Sequence, residues 1–298
     1  MKLFSIILIC CVVFLPDLRA QNNGVSAVTV ELSLDQEQFL SNEDLRVAVR
    51  ITNRSGQKLT FGNEADWVTF TVQARDNYVV SQLGDVPVVG EFSLESSTTG
   101  TKRVNLTPYF NFRQPGRYQI TATVKVPQWN KEITSRPKTF DIINGTKLRE
   151  FDFGLPLPAG ATNAQPEMRK YILQQALYLK QMKLYLRLTD ATGSVVLKVF
   201  PIAPMVSSSQ PEVQIDRLSH LHVLHQVGAH SFNYSVINPD GEIITQQILD
   251  QVTTRPKLRV DADGKISASG GMQRKNSNTL ARPATAQSPD NNAQPRTP

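Results

Sequence analysis

Apolar and polar residues alternate one for one through much of this chain. In 26–34, Val28, Val30, Leu32 and Leu34 fall on one side, and Thr29, Glu31 and Ser33 on the other. In 45–52, Leu45, Val47, Val49 and Ile51 alternate with Arg46, Ala48, Arg50 and Thr52. A period of two is the mark of a strand with one buried face. Further strands are expected at 58–61, 67–74, 90–94, 117–126 and 139–143, separated by turn residues such as Asn53-Arg54-Ser55-Gly56. No long segment before residue 143 favours a helix. Residues 26–143 therefore read as one all-β unit.

Asn144-Gly145 marks a boundary, and 144–164, with two prolines and three glycines, reads as a linker or irregular entry segment. Residues 165–269 read as a second β-rich unit. Three hairpins are expected there: 183–189 with 194–200, 231–237 with 242–249, and 257–260 with 265–269. Their turns are Asp190-Ala191-Thr192-Gly193, Asn238-Pro239-Asp240-Gly241 and Asp261-Ala262-Asp263-Gly264. The stretch Glu167–Met182 fits two patterns. Met168, Tyr171, Ile172, Leu179 and Met182 line a helix face; Tyr171, Leu173, Leu177 and Leu179 line a strand face. The flanking hairpins favour strand. Residues 270–298 have four prolines and, as large apolar residues, only Met272 and Leu280, so a disordered tail is expected.

The start of the chain changes the setting. Lys2, the apolar run Leu3–Leu15 and the small-residue site Leu18-Arg19-Ala20 have the pattern of a cleavable signal peptide over residues 1–20. The run is shorter than the ~20 residues of a membrane span. Both cysteines, Cys10 and Cys11, lie inside it, so the mature chain is expected to lack disulfides and thiol chemistry. The expected location is the periplasm or the extracellular space, with no transmembrane anchor after cleavage. The formal charge is +6, but charges balance before Asn144 and much of the excess sits in the tail. No basic cluster with interleaved aromatics is present, so nucleic acid is not an expected partner.

Candidate chemistry is sparse. All four histidines, His220, His222, His225 and His230, lie within eleven positions. On a strand, His220 and His222 share a face, and His230, beyond the Gly228 turn, is placed to fold back. His220, His222 and His230 are therefore the candidate metal set, the one basis here for a metal-dependent hydrolase. The His-Glu-x-x-His spacing is absent, as is Gly-x-Ser-x-Gly. Ser55…Lys58 and Ser135…Lys138 match Ser-x-x-Lys, but in turn or edge contexts. Asp261–Gly264 mimics part of a calcium loop; aligned on Gly264, Arg259 and Gly270 fall at two ligand positions, so a hairpin turn explains the acids better. Tyr109, Phe110 and Phe112 form the one dense aromatic patch, the candidate surface for a carbohydrate-binding module. No catalytic residue and no cofactor are expected.

Val49–Gly56 with Leu59-Thr60-Phe61 is similar to the early strands of bacterial immunoglobulin-like modules. Pro115-Gly116-Arg117-Tyr118-Gln119-Ile120-Thr121-Ala122 resembles their late strand, which carries a tyrosine corner. The whole chain resembles secreted bacterial proteins with an N-terminal immunoglobulin-like β-sandwich and a second β-rich domain. The resemblance implies two consecutive β-sandwich-like domains and carries over no site residues. Such modules serve as spacers, docking surfaces or envelope accessories. The expected function is an exported, non-enzymatic binding or structural module acting on a protein or envelope component.

Overall fold

The computed structural model describes residues 27–74, 80–157 and 165–274. The expected signal peptide and residues 275–298 of the expected tail lie outside them. The fold is nearly all-β, built from several sheets, and no sheet joins strands from before residue 143 with strands from after 146.

In the first unit, β1 (Val28–Leu34), β3 (Arg46–Asn53) and β7 (Thr98–Asn105) form one sheet in the order β1-β3-β7. The facing sheet runs β2 (Gln38–Leu40), β10 (Lys138–Ile143), β8 (Gly116–Val126), β5 (Val68–Ala74), with β9 (Lys131–Thr134) on the far part of β8. β2 is parallel to β10; the other pairs are antiparallel. A short pair, β4 (Leu59–Phe61) with β6 (Phe92–Leu94), closes one side.

The expected alternation is what fills the core. Val47, Val49 and Ile51 of β3 meet Phe70 and Val72 of β5 and Ile120, Ala122 and Val124 of β8. Trp67 is buried against Phe61 and Phe92, and its indole N–H donates to the Val88 carbonyl at 2.7 Å. Tyr118 stacks on Phe140 at 5.5 Å, and its hydroxyl donates to the Gln114 carbonyl at 2.6 Å. That bond ties the loop before β8 to the strand itself. β7 was missed in the sequence because its residues are Thr, Gly, Lys and Arg, with Val104 the one large apolar position.

The second unit begins where a linker was expected. Thr146–Gly154 is a full strand, β11, paired antiparallel with β12 (Met168–Tyr178). Its charges, Lys147, Arg149, Glu150 and Asp152, masked the Leu148, Phe151 and Phe153 positions that pack inward. The sheet continues to β13 (Gln181–Asp190) and β14 (Val196–Pro204) as a meander. Glu167–Met182 is thus strand, turning at Leu179-Lys180 into β13. A second meander, β15 (Glu212–Ile215), β16 (Leu221–Gln226), β17 (Ser231–Ile237) and β18 (Ile243–Asp250), packs on the first through Tyr171, Leu173, Leu186, Leu221, Val223 and Ile237. A hairpin, β19 (Lys257–Val260) and β20 (Ile266–Ser269), covers its other face through Leu258 and Ile266.

The chain after 269 does not all behave as the expected tail. β21 (Met272–Gln273) pairs with β18, and the Arg274 guanidinium donates to both carboxylate oxygens of Asp250 at 2.8 and 2.6 Å. A planar fork on a carboxylate ties down a strand end despite its polar composition. Gly271, at φ +73°, lets the chain turn there, since a Cβ would stand 2.9 Å from the Asp250 carbonyl oxygen.

The two units share an interface. Leu40 and Ile143 of the first pack against Ala176, Tyr185 and Val199 of the second. The Leu179 N–H at the β12–β13 tip donates to Gln38 Oε1 at 2.6 Å. Glu43, 5% exposed, accepts from Gln36 Nε2 at 2.6 Å and the Leu40 N–H at 2.8 Å. Burial raises its carboxyl pKa against the pull of those bonds and of Lys183.

Replacing Tyr118 with Phe keeps the stacked ring and removes one hydrogen bond. The expected cost is about 1 kcal/mol, seen in urea unfolding as a lower midpoint at unchanged slope. An unchanged midpoint would show that the corner bond adds nothing to stability.

Candidate functional site

The histidines lie on the meander that is buried on both faces. β16 alternates Leu221, Val223 and His225 toward the first meander with His222 and Leu224 toward the β19–β20 hairpin. The turn between β15 and β16 carries Asp216 and His220 beside His222. The Asp216 carboxylate organises this corner. Its Oδ1 accepts the backbone N–H of Leu218 at 2.9 Å and of His220 at 2.8 Å. Its Oδ2 accepts from His220 Nδ1 at 3.0 Å and from His222 Nε2 at 3.3 Å. With Nε2 donating, the neutral His222 ring presents Nδ1 as an acceptor, and the Tyr234 hydroxyl donates to it at 2.8 Å.

The corner is stapled to the opposite sheet. Ser219 sits at φ 62°, a left-handed conformation that a non-glycine residue adopts only under constraint. Its hydroxyl donates to the Gly154 carbonyl at 2.6 Å, and its own carbonyl accepts from the Tyr171 hydroxyl at 2.9 Å. A cavity of about 410 Å³ opens beside the corner, lined by Asp216, His220, His222, Tyr234, Arg217 and Lys265 among others.

Tyr234, His222 and Asp216 stand in the order hydroxyl, imidazole, carboxylate, the order of a hydrolytic triad. The electrostatics oppose that use. Burial raises the Tyr234 phenol pKa, and the Asp216 charge raises it further. Burial also lowers the His222 imidazole pKa, with Asp216 pulling it only partly back. Both shifts disfavour moving the proton from phenol to imidazole. Burial raises the Asp216 carboxyl as well, but the bonds from the His220 N–H and the two rings outweigh it and hold it below its usual range.

The candidate metal set does not converge. His220 and His222 meet at Asp216, but His230 is exposed in the β16–β17 turn at the far end of the strand. Four residue steps along β16 take the chain from His222 to Gln226 beside that turn, about 13 Å of extended chain. The antiparallel return brings Val236 back beside His222, and the turn stays distant. Among the described residues, no three His, Cys, Asp or Glu side chains are grouped to hold a metal ion. His225 faces the other way, and its Nε2–H donates to the Pro204 carbonyl at 3.1 Å. Asp216 was not singled out in the sequence; its signal was an acid four positions before His220.

The other candidates are structural. Phe110 and Phe112 are buried, and Tyr109 packs against the same core, so the aromatic patch offers no flat sugar platform. Ser135 accepts the Ala122 N–H at 3.0 Å. Ser55 bonds within its turn to Asn53. Asp261 Oδ1 accepts the N–H of Asp263 and Lys265 at 3.1 and 2.8 Å, the pattern of a capped hairpin turn.

Comparison with known proteins adds little to this geometry. No family model and no curated protein matches the chain. Among solved structures, the chain is similar to the crystal structure of Spo0M, a sporulation control protein from Bacillus subtilis. The identity is 6% and the TM-score 0.30, over 60% of this chain and 90% of that one.

The two buried histidines set a pH dependence. Burial holds the His225 imidazole down at about 4, while an unfolded chain restores a value near 6.5. Between those values the unfolded state binds the extra proton, so folded stability falls as pH drops from about 6.5 to about 4. The loss from His225 is of the order of 3 kcal/mol, at 1.36 kcal/mol per pKa unit. His222 adds in the same direction, and the Asp216 contribution goes at still lower pH. Urea midpoints at pH 7.5 and 4.5 are expected to differ much less in His225→Gln than in the parent chain. Equal differences would remove His225 as the cause.

Proposed function

We propose that this chain is an exported, non-enzymatic binding or structural module of a bacterial periplasm or cell surface, acting through protein contacts. The pattern of residues 1–20 supports export. Among the described residues, no helix is long and apolar enough to cross a membrane. The strand order of the first unit and the Tyr118 corner support an immunoglobulin-like reading of that unit.

The observation that carries the reading is the state of the sheet edges. β11 carries four charged residues and a register shift between Lys147 and Arg149. β14 contains Pro201 and ends at Pro204, and Gln246 Nε2 donates to its Ile202 carbonyl at 3.0 Å. On β15, Glu212 accepts the Leu258 N–H of the covering hairpin at 3.0 Å. Charges, bulges, prolines and covering elements are how edges are kept from pairing.

The two edges of the three-stranded sheet differ: against β3, in unbroken register and with no proline or bulge, β1 holds seven residues and the longer β7 holds eight. Thr99, Thr101 and Arg103 are exposed on β7. Lys102 is half-buried, its ammonium on the Gly90 carbonyl at 3.2 Å and 4.7 Å from the centre of the Phe92 ring. An edge of this length accepts an added strand from a partner through main-chain hydrogen bonds.

A photo-crosslinking residue at Thr99 or Thr101 is expected to give a discrete protein adduct in intact cells. The same residue at Thr71, exposed on β5, where the Val80 N–H already bonds the Val72 carbonyl at 2.9 Å on that edge, is expected to give none. Absence of adducts from β7, or identical adducts from Thr71, would overturn this reading.

A further inference from the structure

A cavity of about 640 Å³ lies where the two units meet, lined by Asn42, Arg113, Asn144, Gln174, Arg187 and Ser194 among others. Its volume is in the range of small-molecule sites. Its lining residues include two arginines and no aspartate or glutamate.

Arg187 projects from β13, in the middle of its sheet, and is half-buried. One of its terminal nitrogens donates to Asn42 Oδ1 at 3.3 Å. Asn42 itself stands at φ 68° in the turn after β2. Among the described residues, Arg187 makes no ion pair. The carboxylates near it in sequence or across the junction are otherwise engaged. Glu43 takes Gln36 Nε2 and the Leu40 N–H, and Asp190 takes the Thr192 hydroxyl at 2.6 Å and the Val195 N–H at 2.9 Å. Burial lowers the Arg187 pKa with no opposing charge.

A guanidinium has five donors in a fixed planar fork. Half-buried on one neutral acceptor, it keeps its other donors open toward the cleft, where a bound oxyanion accepts from two of them at once. Arg113 is positioned at the same cleft, since the Ser41 hydroxyl donates to its carbonyl at 2.8 Å and pins its loop to the β2 turn. The rest of the polar lining, Ser41, Asn42, Asn144, Gln174 and Ser194, offers amide and hydroxyl partners for hydroxyl groups. No aromatic side chain lines the cleft, so a neutral sugar finds no ring to stack on.

We propose that this cleft binds a small hydroxylated acid, with its carboxylate or phosphate held by Arg187 and supported by Arg113. The site needs both units, because Asn42 and Arg113 come from the first and Gln174, Arg187 and Ser194 from the second. It is separate from the β7 edge and stands or falls without it.

Titration calorimetry on the mature chain, with galacturonate, galactose 1-phosphate and galactose as probes, tests the site. At least one acid is expected to bind and galactose is not; which acid binds identifies the oxyanion. Arg187→Met is expected to weaken that binding at least tenfold, Arg113→Gln less, and Arg187→Lys to fall between, since it keeps the charge and loses the fork. Binding is also expected to weaken with added salt. Should Arg187→Met fail to fold, by circular dichroism and melting, Arg113→Gln and Arg187→Lys decide. Galactose binding as tightly as the acids, no acid binding at ten millimolar, or parental affinity in the folded arginine variants would overturn the proposal.

Discussion

The structure depends on how closely the two units are joined. β10 ends at Ile143 and β11 begins at Thr146, so only Asn144 and Gly145 lie between them. So short a connection leaves the second unit little freedom, and Gly145 admits the close approach it forces. A Cβ there would stand 3.3 Å from Leu40 and 3.4 Å from Gln174. The Leu40–Ala176–Tyr185–Val199 cluster and the hydrogen bonds of Gln38 and Asn42 then remove what freedom remains. Two units with separate cores are thereby packed together, and residues from both line the cleft at the junction.

A second constraint governs the interior of the second unit. β16 and β17 are covered on both faces, by the first meander and by the β19–β20 hairpin. Polar side chains on such strands must find partners within the protein. Asp216, His220, His222 and Tyr234 meet that demand together at one end of the sheet; His225 meets it in part, with Nε2 on the Pro204 carbonyl, while its Nδ1 and Asn233 Oδ1 are buried without a partner. The same residue types that suggest metal binding or proton transfer in a sequence therefore serve here to fix a strained turn between two sheets. The direction of their titration shifts, imidazole down and phenol up, follows from that burial and works against catalysis.

Much of the fold was legible because burial on one face imposes a period of two. β1, β3, β5 and β8 carry that period openly, while the three hairpins of the second unit are marked by their turns at 190–193, 238–241 and 261–264. β7 and β11 do not carry it openly. One is an edge strand whose exposed positions are Thr and Arg; the other covers its core positions with charges. Glu167–Met182 was ambiguous for a related reason. Its hairpin faces its own core at Tyr171 and Leu173, then crosses to the first unit, where Ala176 on the opposite side becomes the buried position and Leu177 is left 57% exposed. A single alternating stripe cannot describe a strand that changes which face it buries. The histidine site was half legible: clustering in sequence placed His220 and His222 together. The register that sends His230 to the far end of β16 is a tertiary property.

Arg187 was invisible to the sequence because an arginine among alternating strand residues reads as a solvent-facing position. Its meaning comes from what surrounds it. The junction holds a buried carboxylate, Glu43, and a half-buried guanidinium, Arg187, from opposite units, yet no ion pair joins them. Glu43 is instead satisfied within its own unit by Gln36 and the Leu40 N–H, while Lys183 supplies the nearby positive charge. Pairing the two would be the ordinary way to stabilise such an interface. Keeping them apart leaves the interface held mainly by apolar packing and neutral hydrogen bonds. It also leaves the Arg187 guanidinium, bonded among the described residues to Asn42, lining the open cleft. A donor fork without an ion pair beside open space is the arrangement of a binding group, and the short connection and apolar packing at the junction keep it at the cleft.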